Sequence, residues 1–430
     1  MAFMTSLSSS SELDGFARSL LTLLSLCGFT IRVSSSPING ELSWRSNSTY
    51  PSTNESCHCY PGDTCWPNAT EWDNFNQTLG GKLIATVPIA SVCHHDSFAQ
   101  YDAEACAQLQ SVWFVEATHY ESSSSVMAPF FANQSCDPFL PVSARCIIGT
   151  YNQYSVNASN ASDYQKTIEF VESHNIRLTI RNTGHDYNAK SSGAGAVGIW
   201  THNMKDILIF DYKSSNYSGK AMRMGAGVQG FEAYEAAQAQ SLVVVGGNCP
   251  TVGIAGGYTQ GGGHGPLASR FGLAADQVLE WEVVTGTGEL LTASPSTNSD
   301  LYWALSGGGG GIFGVVLSMT YKAYTDVPSS ASNLTFTNEG VSQETYYNVI
   351  GAFHEALIPL VDAGGVSIWQ FTNTTFSMAP TYGPNISTAQ LDSFIRPVKV
   401  RLEQSGINYS KSIQKSLFSH VHLSQFHYSG

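Results

Sequence analysis

The sequence predicts an α+β fold, and three observations carry that reading. Short β-branched runs such as Ile176–Ile180 and Leu242–Val245 alternate with stretches of helical spacing. Gln277–Val284 and Leu290–Ala293 flank Thr285-Gly286-Thr287-Gly288, the signature of a hairpin. Two matches to G-x-G-x-x-G stand in the wrong context for a doubly wound parallel sheet. The first, Gly225-Ala226-Gly227-Val228-Gln229-Gly230, is followed by Val243–Gly247 where an acidic residue is needed. The second, Gly309–Gly314, runs helix to strand rather than strand to helix. Mixed strands and helices with many hairpins point to α+β rather than to a doubly wound parallel sheet.

At 430 residues the chain is long enough for two or three domains with substantial cores. Only 12% of its residues are charged, and 20 basic against 33 acidic residues give a net charge of −13. That balance argues against nucleic acid or an anionic membrane as partner. No apolar run reaches membrane-spanning length.

Near the N-terminus Arg18 precedes the apolar run Leu20–Phe29, with small residues at Ser34–Ser36. A secretory signal peptide and leader are expected over 1–35, although Glu12 and Asp14 are unusual company for one. Twelve Asn-x-Ser/Thr sequons, from Asn47 to Asn408, point more firmly to an exported, glycosylated protein. A Ser/Asn-rich linker opens the region 36–142, which is otherwise rich in cysteine. Apart from Cys27 and Cys249, the cysteines are Cys57, Cys59, Cys65, Cys93, Cys106, Cys136 and Cys146. In an oxidising compartment they are disulfide candidates, and their odd number leaves one free or short of a partner. Neither Cys57-His58-Cys59 with Cys65 nor His94-His95-Asp96 beside Cys93 has the spacing of a closed zinc site, so no metal is expected.

In chain order, Trp72, Phe75 and Leu79 recur at helical steps. The regular region begins near Ile147. Ser162 or Asp163 is the expected N-cap of a helix that buries Tyr164, Ile168 and Val171. Strands are expected at Ile176–Ile180, Ala196–Thr201, Ile207–Phe210, Leu242–Val245 and Ile312–Val316, with helices at Phe231–Gln240 and Asp300–Leu305. Further on, a helix is expected at Glu344–Leu357 and a strand at Ser367–Phe371.

Two stretches carry the chemistry. The first is Arg181-Asn182-Thr183-Gly184-His185-Asp186-Tyr187, a tight turn after a strand. Its successive amides can form a concave anion site suited to a phosphate. The second runs from Gly246-Gly247-Asn248-Cys249-Pro250-Thr251-Val252-Gly253 through Ala255-Gly256-Gly257 to Gly261-Gly262-Gly263-His264-Gly265. Glycines this dense fit a backbone that bends sharply or approaches a flat ligand. By themselves the residues leave alternatives open. His185 could be an ordinary turn histidine, and Cys249 could pair with another cysteine.

On these two motifs the chain resembles flavoproteins of the vanillyl-alcohol oxidase and p-cresol methylhydroxylase superfamily. It is most similar to the berberine-bridge-enzyme-like fungal branch, over roughly Cys57–Tyr324. The resemblance implies a flavin-binding domain of the p-cresol methylhydroxylase type, made of two α+β subdomains, over 143–326. An incomplete α+β substrate domain would follow over 327–430. It implies FAD bonded through its 8α-methyl to His185 and through C6 to Cys249. Thr183, Gly184 and Asp186 would contact the pyrophosphate side. Thr251, Val252, Gly253, Gly256, Gly257 and Gly261 would line the isoalloxazine and ribityl, with Asp276 near the adenine side.

The implied reaction is hydride transfer from a substrate C–H to flavin N5, followed by reoxidation by molecular oxygen to hydrogen peroxide. Substrates would be alcohols, hemiacetals or natural-product C–H groups, acted on by a secreted monomer. Some positions depart from the pattern. Ala189-Lys190-Ser191 stands where relatives often carry Gly-Arg-Ser, Ser306 where an arginine is common, and Tyr258 where plant relatives place a histidine. His202 and His264 lie near the motifs and are read as structural. In the family the catalytic base comes from a downstream half that this chain is expected to lack, so no base is assigned. The tail from Lys415 to Gly430 resembles nothing in the family.

Overall fold

Residues 57–95, 98–126 and 135–419 are described by a computed structural model. The expected leader and linker, Asp96, the sequons at Asn47, Asn54 and Asn133, and the tail beyond residue 419 lie outside the described residues. Helix α1 (Ala69–Thr78) opens on a capping box in which Asn68 and Glu71 satisfy each other's free amides. Its Trp72 and Phe75, with Leu79 just beyond, are buried as their spacing predicts. Phe75 stacks on Phe170 at 4.0 Å and Trp72 on Tyr154 at 4.1 Å. Strand β1 (Leu83–Ala85), helix α2 (Ala103–Val112) and the single helical turn α3 (Ala117–Tyr120) complete the N-terminal region. Disulfides Cys59–Cys65, Cys93–Cys106 and Cys136–Cys146 staple it, and Cys57 is the odd cysteine left over. Cys59 and Cys65 also lie beside Asp63, but their sulfurs are spent on each other and cannot serve as thiolate ligands.

The first sheet has the order β1-β2-β4-β3, with β2 (Tyr154–Asn157) and β3 (Leu178–Arg181) both parallel to β4 (Val197–Trp200). Between β2 and β3 runs α4 (Ala161–Ser173), burying Tyr164, Ile168 and Val171. Its N-cap is Asn160, not Ser162 or Asp163, because the Asn160 side chain accepts the Asp163 amide. Asp163 instead uses its carboxylate on Lys82 and on the Ser159 amide, at 2.8 Å each.

The second sheet is antiparallel throughout, in the order β5-β6-β10-β8-β9. Its strands are β5 (Ile207–Lys213), β6 (Ser218–Gly225), β8 (Val278–Val284), β9 (Leu290–Ala293) and β10 (Val315–Lys322). The expected hairpin joins β8 to β9, with Gly288 at φ +78° in the turn. Met222, Met224, Trp281, Met319 and Tyr321 form a sealed core under this sheet. The first G-x-G-x-x-G stretch lies between β6 and the helix at Gly230–Gln238, but the next strand, Leu242–Val243, pairs outside this sheet, so no parallel strand–helix–strand unit forms. The second runs from helix to strand, and the nicotinamide reading fails on topology. Two strands are shorter than the sequence predicts. Only Leu242–Val243 pairs (β7, with β11 at Tyr324–Thr325), while Val244 and Val245 turn into the core. Strand β10 starts at Val315 rather than Ile312, after Gly314 leaves extended geometry at φ +151°.

Helix α5 (Gly230–Gln238) follows β6, α6 (Ala268–Phe271) precedes β8, and α7 (Ser299–Leu305) precedes β10. The last sheet, β13-β14-β12-β15, is antiparallel and built from β12 (Pro328–Thr337), β13 (Val366–Phe371), β14 (Thr375–Pro384) and β15 (Tyr409–Leu417). Helices α8 (Gln343–Asp362) and α9 (Thr388–Gln404) share a core with it through Tyr346, Phe353, Leu391 and Val398. Among the described residues no helix is long and apolar enough to cross a membrane.

Candidate active site

Strand β3 ends on Arg181, whose guanidinium is buried and donates through Nη2 to the His119 carbonyl at 2.9 Å. Its Nε and Nη1 have no partner among the described residues, and burial lowers its pKa to about 10. The chain then turns over this guanidinium. Gly184 has φ +85°, and a Cβ there would stand 2.9 Å from the Arg181 guanidinium carbon, so only glycine fits. The turn delivers His185, half-buried, to a loop 66 residues further on.

That loop is pinned to the start of α5. The Gly230 amide donates to the Val252 carbonyl at 2.9 Å, and the Phe231 amide to the Pro250 carbonyl at 3.0 Å. The Gln229 side chain donates to the Thr251 carbonyl at 3.0 Å. Held this way, the Thr251 hydroxyl meets His185 Nε2 at 2.7 Å and lies 3.5 Å from Cys249 Sγ. The two side chains singled out by the sequence therefore converge on one hydroxyl. Cys249 is free, so among the described residues the disulfide alternative does not hold. Burial lowers the His185 pKa, and the nearby Arg181 cation adds to this while Glu116 and the Thr251 contact oppose it. The ring is thus neutral near neutral pH and keeps a lone pair.

The glycines divide into two groups. Gly253 and Gly256 back onto protein: a Cβ on Gly253 would stand 2.1 Å from Asn182 Nδ2, and one on Gly256 would stand 3.0 Å from it. Gly261 closes a turn, its amide donating to the Gly257 carbonyl at 2.9 Å. Gly257 alone among these has open space where a Cβ would be. A third segment joins them. The Gly307 and Gly309 amides donate to the Gln260 carbonyl at 3.0 and 2.8 Å, and a Cβ on Gly310 would stand 2.8 Å from Gly257 Cα.

Other expected contact residues are occupied elsewhere. The Asp186 carboxylate accepts the amides of Asn188 at 2.8 Å, Ser191 at 3.1 Å and Lys190, which orders the loop after His185. Asp276 is exposed and its carboxylate caps its own turn, accepting the Leu273 amide at 2.7 Å. Thr183 is buried. The departures from the pattern also have uses. The Ser306 hydroxyl accepts Trp281 Nε1 at 3.2 Å, and the Tyr258 hydroxyl donates to the His264 carbonyl at 2.8 Å.

No motif or spacing signals that the cysteine-stapled region reaches this corner. Tyr120 packs against His202 at 5.3 Å, and Trp200 stacks on the same ring at 5.7 Å. Burial, with the Lys205 and Arg181 cations, pushes the His202 pKa down to about 4. Lys205 donates to Gln229 at 3.1 Å and to Glu232 at 2.8 Å, so an ion pair backs the side chain that pins Thr251. Gln229 could have been noticed as the polar member of the rejected glycine motif; Tyr120 carries no such signal.

The FAD binding domain family matches residues 153–294. The chain is 52% identical over 360 residues to the FAD-linked oxidoreductase sor8 of Hypocrea jecorina, covering 84% of this chain and 62% of that protein. It is 50% identical over 367 residues to the FAD-linked oxidoreductase patO of Aspergillus clavatus, covering 85% of this chain and 63% of that protein. The crystal structure of the VAO-type flavoprotein MtVAO615 from Myceliophthora thermophila superimposes with a TM-score of 0.84 at 45% identity, over 87% of this chain and 68% of that one. The chain thus spans a little over three fifths of the length of these two curated relatives.

Proposed function

Because this chain belongs to the FAD-linked oxidoreductases of the vanillyl-alcohol oxidase and berberine-bridge-enzyme type, we propose that it holds FAD covalently through His185 and Cys249 and oxidises a small organic substrate with oxygen as acceptor. The carrying observation is the shared Thr251 hydroxyl, 2.7 Å from His185 Nε2 and 3.5 Å from Cys249 Sγ. An imidazole and a thiol so close, one from each flavin-type motif, suit two bonds to one end of a planar ring system.

The residues present fit the cofactor. The approach to the ring lies over Gly257, where no side chain intrudes. The turn at Thr183 and Gly184 passes over the buried Arg181 guanidinium, an electropositive setting for phosphate. Gly253 and Gly256 act indirectly, by letting Asn182 dock and so fixing the two loops against each other. Asp186 acts in the same way, by ordering the loop after His185. Thr251 and Val252 hold the thiol-bearing loop through their carbonyls, Gly261 closes the turn beyond Gly257, and Asp276, whose carboxylate caps its own turn, would act on the adenine side only by ordering that turn.

When bound, FAD supplies the two-electron chemistry, taking a hydride from a substrate carbon and returning the electrons to oxygen. The chain's part is to anchor the ring, keep His185 neutral and exclude water from the buried side. Substrates are alcohols, hemiacetals or natural-product C–H groups, as in the wider family. Export is supported by three disulfides and by sequon asparagines such as Asn68, Asn160, Asn216, Asn333, Asn373, Asn385 and Asn408, all exposed.

The test is acid precipitation of the purified chain followed by peptide mapping. Flavin staying with the pellet on peptides containing His185 and Cys249, one link being lost in H185A and the other in C249A, supports the reading. Flavin wholly in the supernatant overturns it. Oxygen uptake with panels of carbohydrate and aryl-alcohol substrates tests the activity.

A further inference from the structure

We propose that Thr251 is the positioning residue that primes His185 and Cys249 together for bonding to the flavin. The proposal rests on the two-point attachment described above and assigns a role to the residue between the two nucleophiles. A threonine hydroxyl has one hydrogen to donate and lone pairs to accept with. It cannot donate to His185 Nε2 and to Cys249 Sγ at once, so its orientation couples the protonation of the two groups. In one arrangement Nε2–H donates to Thr251 Oγ1, whose own hydrogen is donated to a Cys249 thiolate. That leaves the lone pair of His185 on Nδ1. In the other, Oγ1–H donates to Nε2, the thiol donates to Oγ1, and the imidazole hydrogen sits on Nδ1. The two differ by one proton, which leaves Nδ1 for solvent as the thiol proton is relayed through Oγ1 to Nε2; the first arrangement then leaves both groups nucleophilic, and the second silences both.

The surroundings hold the Thr251 backbone in place between the two side chains. The Thr251 carbonyl is held by Gln229 at 3.0 Å, and Gln229 is itself held by Lys205 at 3.1 Å. Flanking amides of α5 hold Val252 and Pro250 on either side of Thr251 at 2.9 and 3.0 Å. Attachment then runs in two balanced steps. His185 Nδ1 forms a C–N bond at the 8α carbon, and Cys249 Sγ forms a C–S bond at C6. Each new bond replaces one C–H, each transfers two electrons to the ring system, and in each case molecular oxygen removes them with two protons as hydrogen peroxide.

The test compares wild type, T251V and T251S, loaded with FAD in air and sampled over time. Flavin-bearing peptides are quantified at both positions, and total bound FAD is measured after denaturation. T251V keeps the shape of the side chain and removes the hydroxyl, so it is expected to bind FAD while both linkages form roughly tenfold more slowly, in line with losing an orienting partner of a histidine. T251S, which restores the hydroxyl, is expected to recover both. T251V with normal rates at both sites overturns the proposal, as does slowing at only one site. T251V that binds no FAD, unrescued by T251S, shows a merely structural role and also overturns it. Wild type with only loose FAD defeats the attachment reading itself, a result distinct from any of these.

Discussion

Asn182 occupies the space that a side chain on Gly253 would need, its amide nitrogen lying 2.1 Å from where that Cβ would be. The same amide donates to the Ala226 carbonyl, so one side chain clamps the turn before His185 to both the thiol-bearing loop and the end of β6. Gly253→Ala should therefore cost about 1–3 kcal/mol by overpacking. Asn182→Ala should be costly too, yet the double variant should be less damaged than the sum, with a coupling of roughly 0.5–3 kcal/mol. Urea denaturation of the four proteins checks it; strict additivity would mean that the two residues do not share this space.

Asp186 is an organiser of its loop. Removing the carboxylate frees three backbone amides, so Asp186→Ala should lose about 1.5–3 kcal/mol. Trypsin cleavage after Lys190 should speed up in this variant, and time-course digestion would read it. Unchanged cleavage would argue that the loop is held by something else.

Acid should weaken the fold through its buried histidines. His202 is lowered from 6.5 to about 4 by burial and by the Lys205 and Arg181 cations, so it stays neutral in the folded chain where it would be protonated in the unfolded one. Stability from this group is complete above pH 6.5 and is lost progressively as pH falls towards 4, because the unfolded chain takes up the proton first. His119 and His185 are shifted in the same direction, mainly by burial. The melting temperature is expected to drop across that window, and His202→Phe, which keeps a ring against Trp200, should flatten the drop. A variant slope equal to that of wild type would exclude His202 as a contributor.

Thiol chemistry should divide the cysteines cleanly. Replacing both Cys93 and Cys106 by serine is expected to cost about 2–4 kcal/mol. Cys57→Ser, at an exposed and unpaired position, should stay within about 0.5 kcal/mol of wild type. Thermal denaturation gives both numbers, and a large effect at Cys57 would reveal a partner outside the described residues.

Residue type and spacing were enough to read the α1 face, the 285–288 hairpin and the first helix of the last sheet, α8, since each depends on neighbours a few residues away; α9 went unread. The meeting of His185 and Cys249 was also legible, but only through the family resemblance that the two motifs carry together. What escaped depends on partners far along the chain. Dense glycines say that something comes close without saying whether it is a ligand or, as at Gly253, a side chain. An acid in a flavin-type motif reads as a cofactor contact until its three amides are seen, as at Asp186. Asn160 displaced the expected N-cap because Asp163 was already engaged with Lys82. Tyr120 was hidden because it sits on one helical turn in an irregular region with no periodicity to place it.

The order of the second sheet has a consequence for how the chain is made. Its middle strand, β10, is the last of the five to leave the ribosome, and without it the pair β5–β6 has no bond to the pair β8–β9. During synthesis Met222, Met224 and Trp281 must wait for Met319 and Tyr321 to cover them. A nascent chain that has emerged from the ribosome only as far as Ala293 would display two separate hairpins with greasy faces, and chaperone binding should peak in that interval.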